Sequence, residues 1–235
     1  MLERSCVPAP VGCRVETLSY ILLAGLALVL VVFLGMWLTS WRQTLPCPVW
    51  LAWLVEMENP FTRASRAAVI IEQLGVKPGM AVLDAGCGPG RVTIPVARQV
   101  GAGGRVVALD MQTGMLERVR AKAAAENLTQ VELLQAALGE GKLGSQKFDR
   151  ALLVTVLGEV PDRHAALKEI YEALRPGGLL AVTEVILDPH FQRQRTVTQW
   201  TQAVGFRTKA THGHGLAYTM ILERPLEGAA ESQPL

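Results

Sequence analysis

Ten residues hold the densest chemistry of this chain: Val82-Leu83-Asp84-Ala85-Gly86-Cys87-Gly88-Pro89-Gly90-Arg91. Gly86, Gly88 and Gly90 alternate, so the backbone can turn sharply there and approach a ligand with no Cβ in the way. A helix that starts directly afterwards aims its free N–H groups at the same spot. Asp84 stands two residues before the first glycine, and a carboxylate facing a ligand suits a cationic group. A pyrophosphate-binding G-x-G-x-x-G loop would need glycine where Arg91 stands, which disfavours a dinucleotide. Asp110 closes the next apolar run, 24 residues beyond Gly86, and a carboxylate there can accept both hydroxyls of a ribose. Taken singly, Asp84 reads as a strand-end turn residue and Asp110 as a helix N-cap. In register with the glycine loop, the two point to a bound ligand.

The elements that must position these residues alternate between strand and helix. Apolar strands are expected at Met80 to Ala85, Arg105 to Leu109, Val131 to Gln135, Arg150 to Val154 and Leu179 to Ile186. Helices are expected at Phe61 to Leu74, Val92 to Val100, Gly114 to Glu126, Asp162 to Leu174 and near Gln192 to Val204. Arg175-Pro-Gly-Gly178 reads as the turn that stops the fourth of these helices. A hairpin, Arg207 to Thr211 with Leu216 to Glu223, closes the pattern. Near-continuous apolar strands separated by helices imply a mostly parallel sheet covered on both faces, with ligands beyond the carboxyl ends of the strands.

Composition adds a second feature. Half of the 235 residues are hydrophobic, 19% are charged, and 23 basic against 21 acidic residues leave a net charge of +2. That balance excludes a nucleic-acid reader and a disordered chain. The excess apolarity is local: Leu18 to Leu38 carries no charge over 21 residues. As a helix it would measure roughly 30 Å, the thickness of a hydrocarbon core. Tyr20, Trp37 and Trp41 stand near its ends, where aromatic rings favour the interface. A cleaved signal peptide would have a shorter apolar region and a small-residue cleavage site. A single-pass transmembrane helix over 18–38 is therefore expected, after a tail of residues 1–17. Residues 39–57, with Trp50 and Trp53, read as a juxtamembrane segment lying on the membrane surface or packing on the domain. Residues 1–57 hold six charges, three Arg and three Glu. The composition break there marks a domain over 58–224, followed by a C-terminal tail over 225–235. Cys6, Cys13, Cys47 and Cys87 are scattered, with no Cys-x-x-Cys pair, so neither a disulfide framework nor a metal site is expected.

Asp84-Ala-Gly-Cys-Gly-Pro-Gly90, the acidic end of the second strand, Phe148-Asp149 and Leu174-Arg-Pro-Gly-Gly178 resemble class I S-adenosylmethionine-dependent methyltransferases. The similarity covers about residues 60–224 and leans toward the branch that methylates quinones and small molecules. It implies a Rossmann-like, seven-stranded α/β sheet, mostly parallel, with a C-terminal antiparallel hairpin. It also implies S-adenosylmethionine as cofactor. Gly86, Cys87, Gly88 and Gly90 would line the methionine part, with Asp84 near its ammonium group. Asp110 would hold the ribose hydroxyls and Met111 would pack on the adenine. After the third strand, Gln135-Ala-Ala-Leu-Gly139 lacks the aspartate that often reaches the adenine amino group, leaving Ala137 and Leu138 to serve through their backbone. Thr155 to Leu157 would lie beneath the sulfonium and open toward the acceptor.

Methyl transfer from a sulfonium needs an aligned nucleophile, and a base only where the acceptor starts protonated. Glu159, His164, Glu184, His190, His212 and His214 are the titratable side chains near the expected mouth. Glu159 lies in a helix-entry loop where acids are common, and His212-Gly-His214 has the form of a hairpin tip. Glu159 and Glu184 are the candidate catalytic residues. The expected function is methyl transfer to a small amphipathic or lipid-like acceptor at a membrane, with the domain on the cytosolic face and no nucleic-acid partner. A non-catalytic scaffold or assembly factor, or a protein methyltransferase, are the alternatives.

Overall fold

The computed structural model describes residues 19–21, 23–28, 30–32, 34–35, 47–56, 66–144, 148–186, 188–215 and 217–226. The chain forms two compact units, Met1–Gln43 and Thr44–Leu235. In the first, every described residue from 19 to 35 is helical, and Leu23, Leu26, Leu30 and Leu34 are each more than half exposed. No helix among the described residues is long and apolar enough to cross a membrane. The transmembrane helix expected over 18–38 includes residues 18, 22, 29, 33 and 36–38, which lie outside the described set, as do the tails 1–17 and 227–235.

The second unit is one seven-stranded sheet: β1 (Ala81–Ala85), β2 (Arg105–Asp110), β3 (Val131–Gln135), β4 (Phe148–Val154), β5 (Leu174–Val185), β6 (Arg207–His214) and β7 (Ala217–Glu223). Its order is β3-β2-β1-β4-β5-β7-β6. The first five strands pair in parallel, while β7 runs antiparallel to both β5 and β6. This is the expected Rossmann-like sheet with its C-terminal hairpin. Side chains alternate between the faces, and β1 divides accordingly. Val82 packs with Ile70, Leu74 and Val96, whereas Leu83 packs with Leu109, Phe148 and Leu153. Both faces are dry, which is why these strands read as unbroken apolar runs.

The helices are α1 (Ala52–Glu56, entered through a 3-10 turn at Val49–Leu51), α2 (Ala67–Leu74), α3 (Thr93–Val100), α4 (Thr113–Ala125), α5 (Arg163–Ala173) and α6 (Gln194–Val204). Local chemistry sets their ends. Asp162 caps α5 by accepting the Ala165 N–H at 2.9 Å. The opposite end of α5 is closed by Arg224, whose Nη1 donates to the carbonyls of Tyr171, Glu172 and Leu174, supplying donors to orphan carbonyls.

One sequence expectation changes. Arg175-Pro-Gly-Gly178 is not a turn outside the sheet: β5 begins at Leu174, which pairs with Phe148, and the register shifts before Arg150 pairs with Leu179. Asp149 secures this start, accepting the Ala81 N–H at 2.8 Å and pairing with Arg175. Residues 47–56 lie in the second unit, with Ala52 fully buried, as the packing alternative for this segment allows.

Candidate active site

The glycine loop leaves the carboxyl end of β1 and is tied at once to β2. The N–H groups of Gly86 and Cys87 both donate to the Leu109 carbonyl, at 2.8 and 2.9 Å. Two positions there admit no side chain. Gly86, at φ +74°, faces the loop after β4, and a Cβ would stand 2.5 Å from Val156 Cγ2. Gly158 is pressed onto the loop after β5, where a Cβ would meet the His190 carbonyl oxygen at 1.9 Å. Three loops, after β1, β4 and β5, therefore converge at backbone-contact distance beyond the sheet.

Asp110, at the end of β2, organises the near wall. Its Oδ2 accepts the Gly88 N–H at 2.9 Å and its Oδ1 accepts the Gln112 N–H at 2.8 Å. Burial raises its pKa, with the Gln112 and Gly88 N–H groups opposing. Met111 follows it, about half exposed. Asp84, expected to face an ammonium group, is 2% exposed and accepts the Thr93 hydroxyl at 2.6 Å. Burial lifts its carboxyl to about 6, against the Thr93 hydrogen bond and the Arg91 charge. Cys87 is buried with Ala108, Leu116 and Val119, and burial pushes its thiol up. It fills space and is a poor nucleophile.

After β3, the Ala137 N–H faces Glu140 Oε2 at 3.4 Å, and Leu138 packs against the core. Glu169, which sequence reading passed over, holds this loop from α5, its carboxylate accepting the N–H groups of Gly139 and Leu143 at 2.7 and 2.9 Å.

The far wall is acidic. Thr155 follows β4 directly and is a β-branched residue at φ +55°, a conformation that costs free energy and concentrates at functional sites. Its N–H donates to the Thr183 carbonyl at 2.8 Å. Glu159 lies 3.8 Å from His190 Nδ1, and Asp188 lies 3.7 Å from the same nitrogen. Glu184, at the end of β5 and 1% exposed, uses Oε2 to accept the Gln192 N–H at 3.0 Å. Its Oε1 is buried with no hydrogen-bond partner among the described residues. Burial, reinforced by the charge of Asp188, lifts Glu159 to about 8. Burial also lifts Glu184 to about 8, with the charges of Asp188 and Glu159 adding to it. His164 lies on the exposed side of α5, and His212 and His214 lie on strand β6 opposite Thr219 and Ala217, so none of the three joins this cluster.

Residues the sequence did not single out close the arrangement. The Cys47 N–H donates to Glu159, and the Cys47 carbonyl accepts from Gln112 Nε2 at 2.9 Å. One residue thus links the near and far walls. Lys122 Nζ donates to the Pro89 carbonyl at 2.8 Å, steadying the glycine loop from α4. No local signal marked Cys47 or Gln112, because their contact joins positions 65 residues apart.

Residues 82–178 match the family described as a methyltransferase domain. A demethylmenaquinone methyltransferase from Lactobacillus johnsonii is 37% identical over 114 residues, covering 48% of this chain and 47% of the relative. The chain therefore spans about half the length of that curated relative. Among solved structures, an S-adenosylmethionine-dependent methyltransferase from Aquifex aeolicus superposes with a TM-score of 0.68 at 19% identity, covering 75% of this chain and 98% of the other. The cyclase SpnF superposes with a TM-score of 0.62 at 17% identity, covering 68% and 80%.

These findings indicate S-adenosylmethionine as the cofactor, and the residues present fit it. The Asp110 carboxylate accepts backbone N–H groups from Gly88, Gln112 and Met111, and with about four acceptor sites in all it keeps capacity for a ribose hydroxyl. The outer side of Gly88 is open, with nothing within 4 Å of where a Cβ would be, and Met111, next in the chain to Asp110, is about half exposed. Residues 82–178 thus match a methyltransferase domain, set in a sheet that has the fold of an S-adenosylmethionine-dependent methyltransferase.

Proposed function

We propose that this chain is a membrane-tethered methyltransferase that moves a methyl group from S-adenosylmethionine to a small amphipathic, quinone-like acceptor. The observation that carries the reading is the meeting of the two walls: Gly86 of the cofactor loop against Val156 of the loop that leads to Glu159. A cofactor along the first and an acceptor along the second would share one small space. The name of the Lactobacillus relative supports an acceptor of the demethylmenaquinone kind. The charge-free run over 18–38 supports a membrane anchor, with the domain on the face where the cofactor is supplied, the cytosol.

Asp110 would hold the ribose and Met111 the adenine edge, while Gly86, Cys87, Gly88 and Gly90 shape the methionine part of the cleft. Ala137 and Leu138 would border the adenine through their backbone, and Asp84 would set the glycine turn from beneath through Thr93. When bound, the cofactor supplies a methyl group made electrophilic by a sulfonium, so the protein's share is alignment of the acceptor and exclusion of water. Thr155 fixes the floor of that alignment. Glu159 and Glu184, whose carboxyls are raised to about 8, would hydrogen-bond an acceptor oxygen while protonated, and whichever of them is ionised would take the acceptor's proton as the nucleophile forms.

The experiment is incubation of the purified full chain with methyl-labelled cofactor and fractionated membranes, followed by solvent extraction. Label in the quinone or lipid fraction, lost with Asp110→Ala, is the expected result. Label in protein would make it a protein methyltransferase. A second reading, a cofactor-binding scaffold without turnover, is favoured by the absence of a carboxylate in Gln135-Ala-Ala-Leu-Gly139. Cofactor binding by calorimetry with no labelled product in any fraction would select it.

A further inference from the structure

We infer that the segment from Cys47 to Glu56 is a roof over the active-site mouth whose outer face, Trp50 and Trp53, docks on a lipid bilayer, so that the acceptor enters from the membrane. The inference extends the anchor reading above and rests on it.

The inner face of the segment is fastened to the site at three points. Cys47 joins Gln112 to Glu159 through its carbonyl and its N–H. Val49 lies against Gly114 at the start of α4, where a Cβ on the glycine would come within 2.9 Å of Val49 Cγ1. Glu56 pairs with Lys122 at 2.9 Å and faces Arg118 at 3.8 Å, and Lys122 also grips the glycine loop at Pro89. Ala52 is fully buried beneath. The segment therefore spans from the acidic wall to the cofactor loop.

Its outer face is the opposite in character. Trp50 is 62% exposed and Trp53 57% exposed, two of the five tryptophans of the chain placed three residues apart on one short helical stretch. Large indoles left in water on a fastened, internally packed element mark an interaction surface. The occupant follows from the chain itself. Leu38 ends the 21-residue charge-free run and Cys47 follows nine residues later, a separation of at most about 30 Å when fully extended. With 18–38 in a bilayer, so short a linker gives the two indoles a high effective concentration at the headgroups, where indoles are favoured. A protein partner would have no such tether to bring it here.

The test uses the full chain reconstituted into phosphatidylcholine–phosphatidylglycerol vesicles carrying lipids brominated near the headgroup, compared with Trp50→Phe/Trp53→Phe. Flotation with the vesicles after carbonate washing reports on the anchor. Loss of quenchable indole fluorescence in the double variant reports on the roof. Stable flotation, with roughly half of the quenchable signal lost in the variant, is expected, since Trp37, Trp41, Trp50 and Trp53 would lie at the headgroups and Trp200 packs on the domain. Stable flotation with an undiminished quenchable signal overturns the docking face and leaves the anchor standing. Failure to float with a quenchable signal that still depends on Trp50 and Trp53 removes the anchor and keeps the surface. Failure of both signals overturns both. A circular-dichroism melt of the variant matching the parent excludes misfolding as the cause, since neither indole is buried.

Discussion

Asp110 and Gly88 are joined by a 2.9 Å hydrogen bond from the glycine N–H to Oδ2, so the carboxylate expected to bind a ribose also fixes the loop expected to bind the rest of the cofactor. Charge matters in this contact, because both carboxylate oxygens face backbone donors, Gly88 and Gln112. Asp110→Asn keeps the size of the side chain but turns an amide NH2 toward one of them. An unsatisfied donor of this kind costs about 1–3 kcal/mol. Calorimetry should show cofactor affinity falling roughly 10- to 100-fold, with the thermal melt displaced by only a few degrees. Unchanged affinity would remove Asp110 from the cofactor site.

Gly86→Ala should be more damaging than an ordinary glycine substitution. The new methyl would stand 2.5 Å from Val156 Cγ2 in a backbone conformation of φ +74°, so steric and conformational costs add, together about 2–4 kcal/mol. The two can be separated. In Gly86→Ala/Val156→Ala the opposing methyls are gone and only a 3.1 Å approach to the remaining Cβ is left, so, measured against Val156→Ala alone, the loss caused by Gly86→Ala in denaturant unfolding should be roughly halved. An undiminished loss in the Val156→Ala background would mean that Val156 is not what excludes the side chain.

How far the site could be read from sequence depended on chain separation. The glycine loop and Asp110 were legible because each announces a local backbone requirement, a positive φ or a strand end. Asp84 was legible as a residue but not as a contact: its partner is Thr93, nine positions on, and the hydroxyl gives no periodic signal. Glu159 and Glu184 stood out as acids, yet nothing local reveals that Asp188 and His190 converge on Glu159, because that requires the loop after β5 to press on Gly158. The roof was hidden for a further reason. Its aromatic content is equally consistent with a membrane surface and with packing on the domain, and the structure gives it both a packed inner face and an exposed outer one. Arg175-Pro-Gly-Gly178 misled because proline and glycine ordinarily stop regular structure, whereas here the pairing of Leu174 with Phe148 continues the strand across them.

Thr155 offers a stability test that reports on strain. A β-branched residue at φ +55° is disfavoured, and asparagine tolerates that region better. Thr155→Asn should stabilise the fold by about 1 kcal/mol in chemical unfolding. If the strained residue sets the floor on which the acceptor aligns, the same variant should lower kcat with cofactor affinity unchanged. A variant of lower stability would show that the Thr155 hydroxyl, which donates to the Val154 carbonyl at 2.7 Å, outweighs the strain.

Glu184 makes the pH dependence of stability predictable in sign. Burial raises its carboxyl from 4.5 to about 8, so between those values the folded chain holds a proton that the unfolded chain has released. Its contribution is fully favourable below about pH 4.5, declines as pH rises, and has become a full penalty once the folded carboxyl ionises near 8. Glu184→Gln removes the titration while keeping an oxygen for the Gln192 N–H. The variant should match the parent at pH 5 and exceed it at pH 9, by about 2 kcal/mol, in urea unfolding with equal m-values. Methyl transfer, if Glu184 takes the acceptor's proton, should rise in the parent as pH approaches 8 and lose that rise in the variant. A stability gain equal at both pH values would mean that Glu184 is already ionised in the fold, and the acidic wall would then have to be read as a site for a cation.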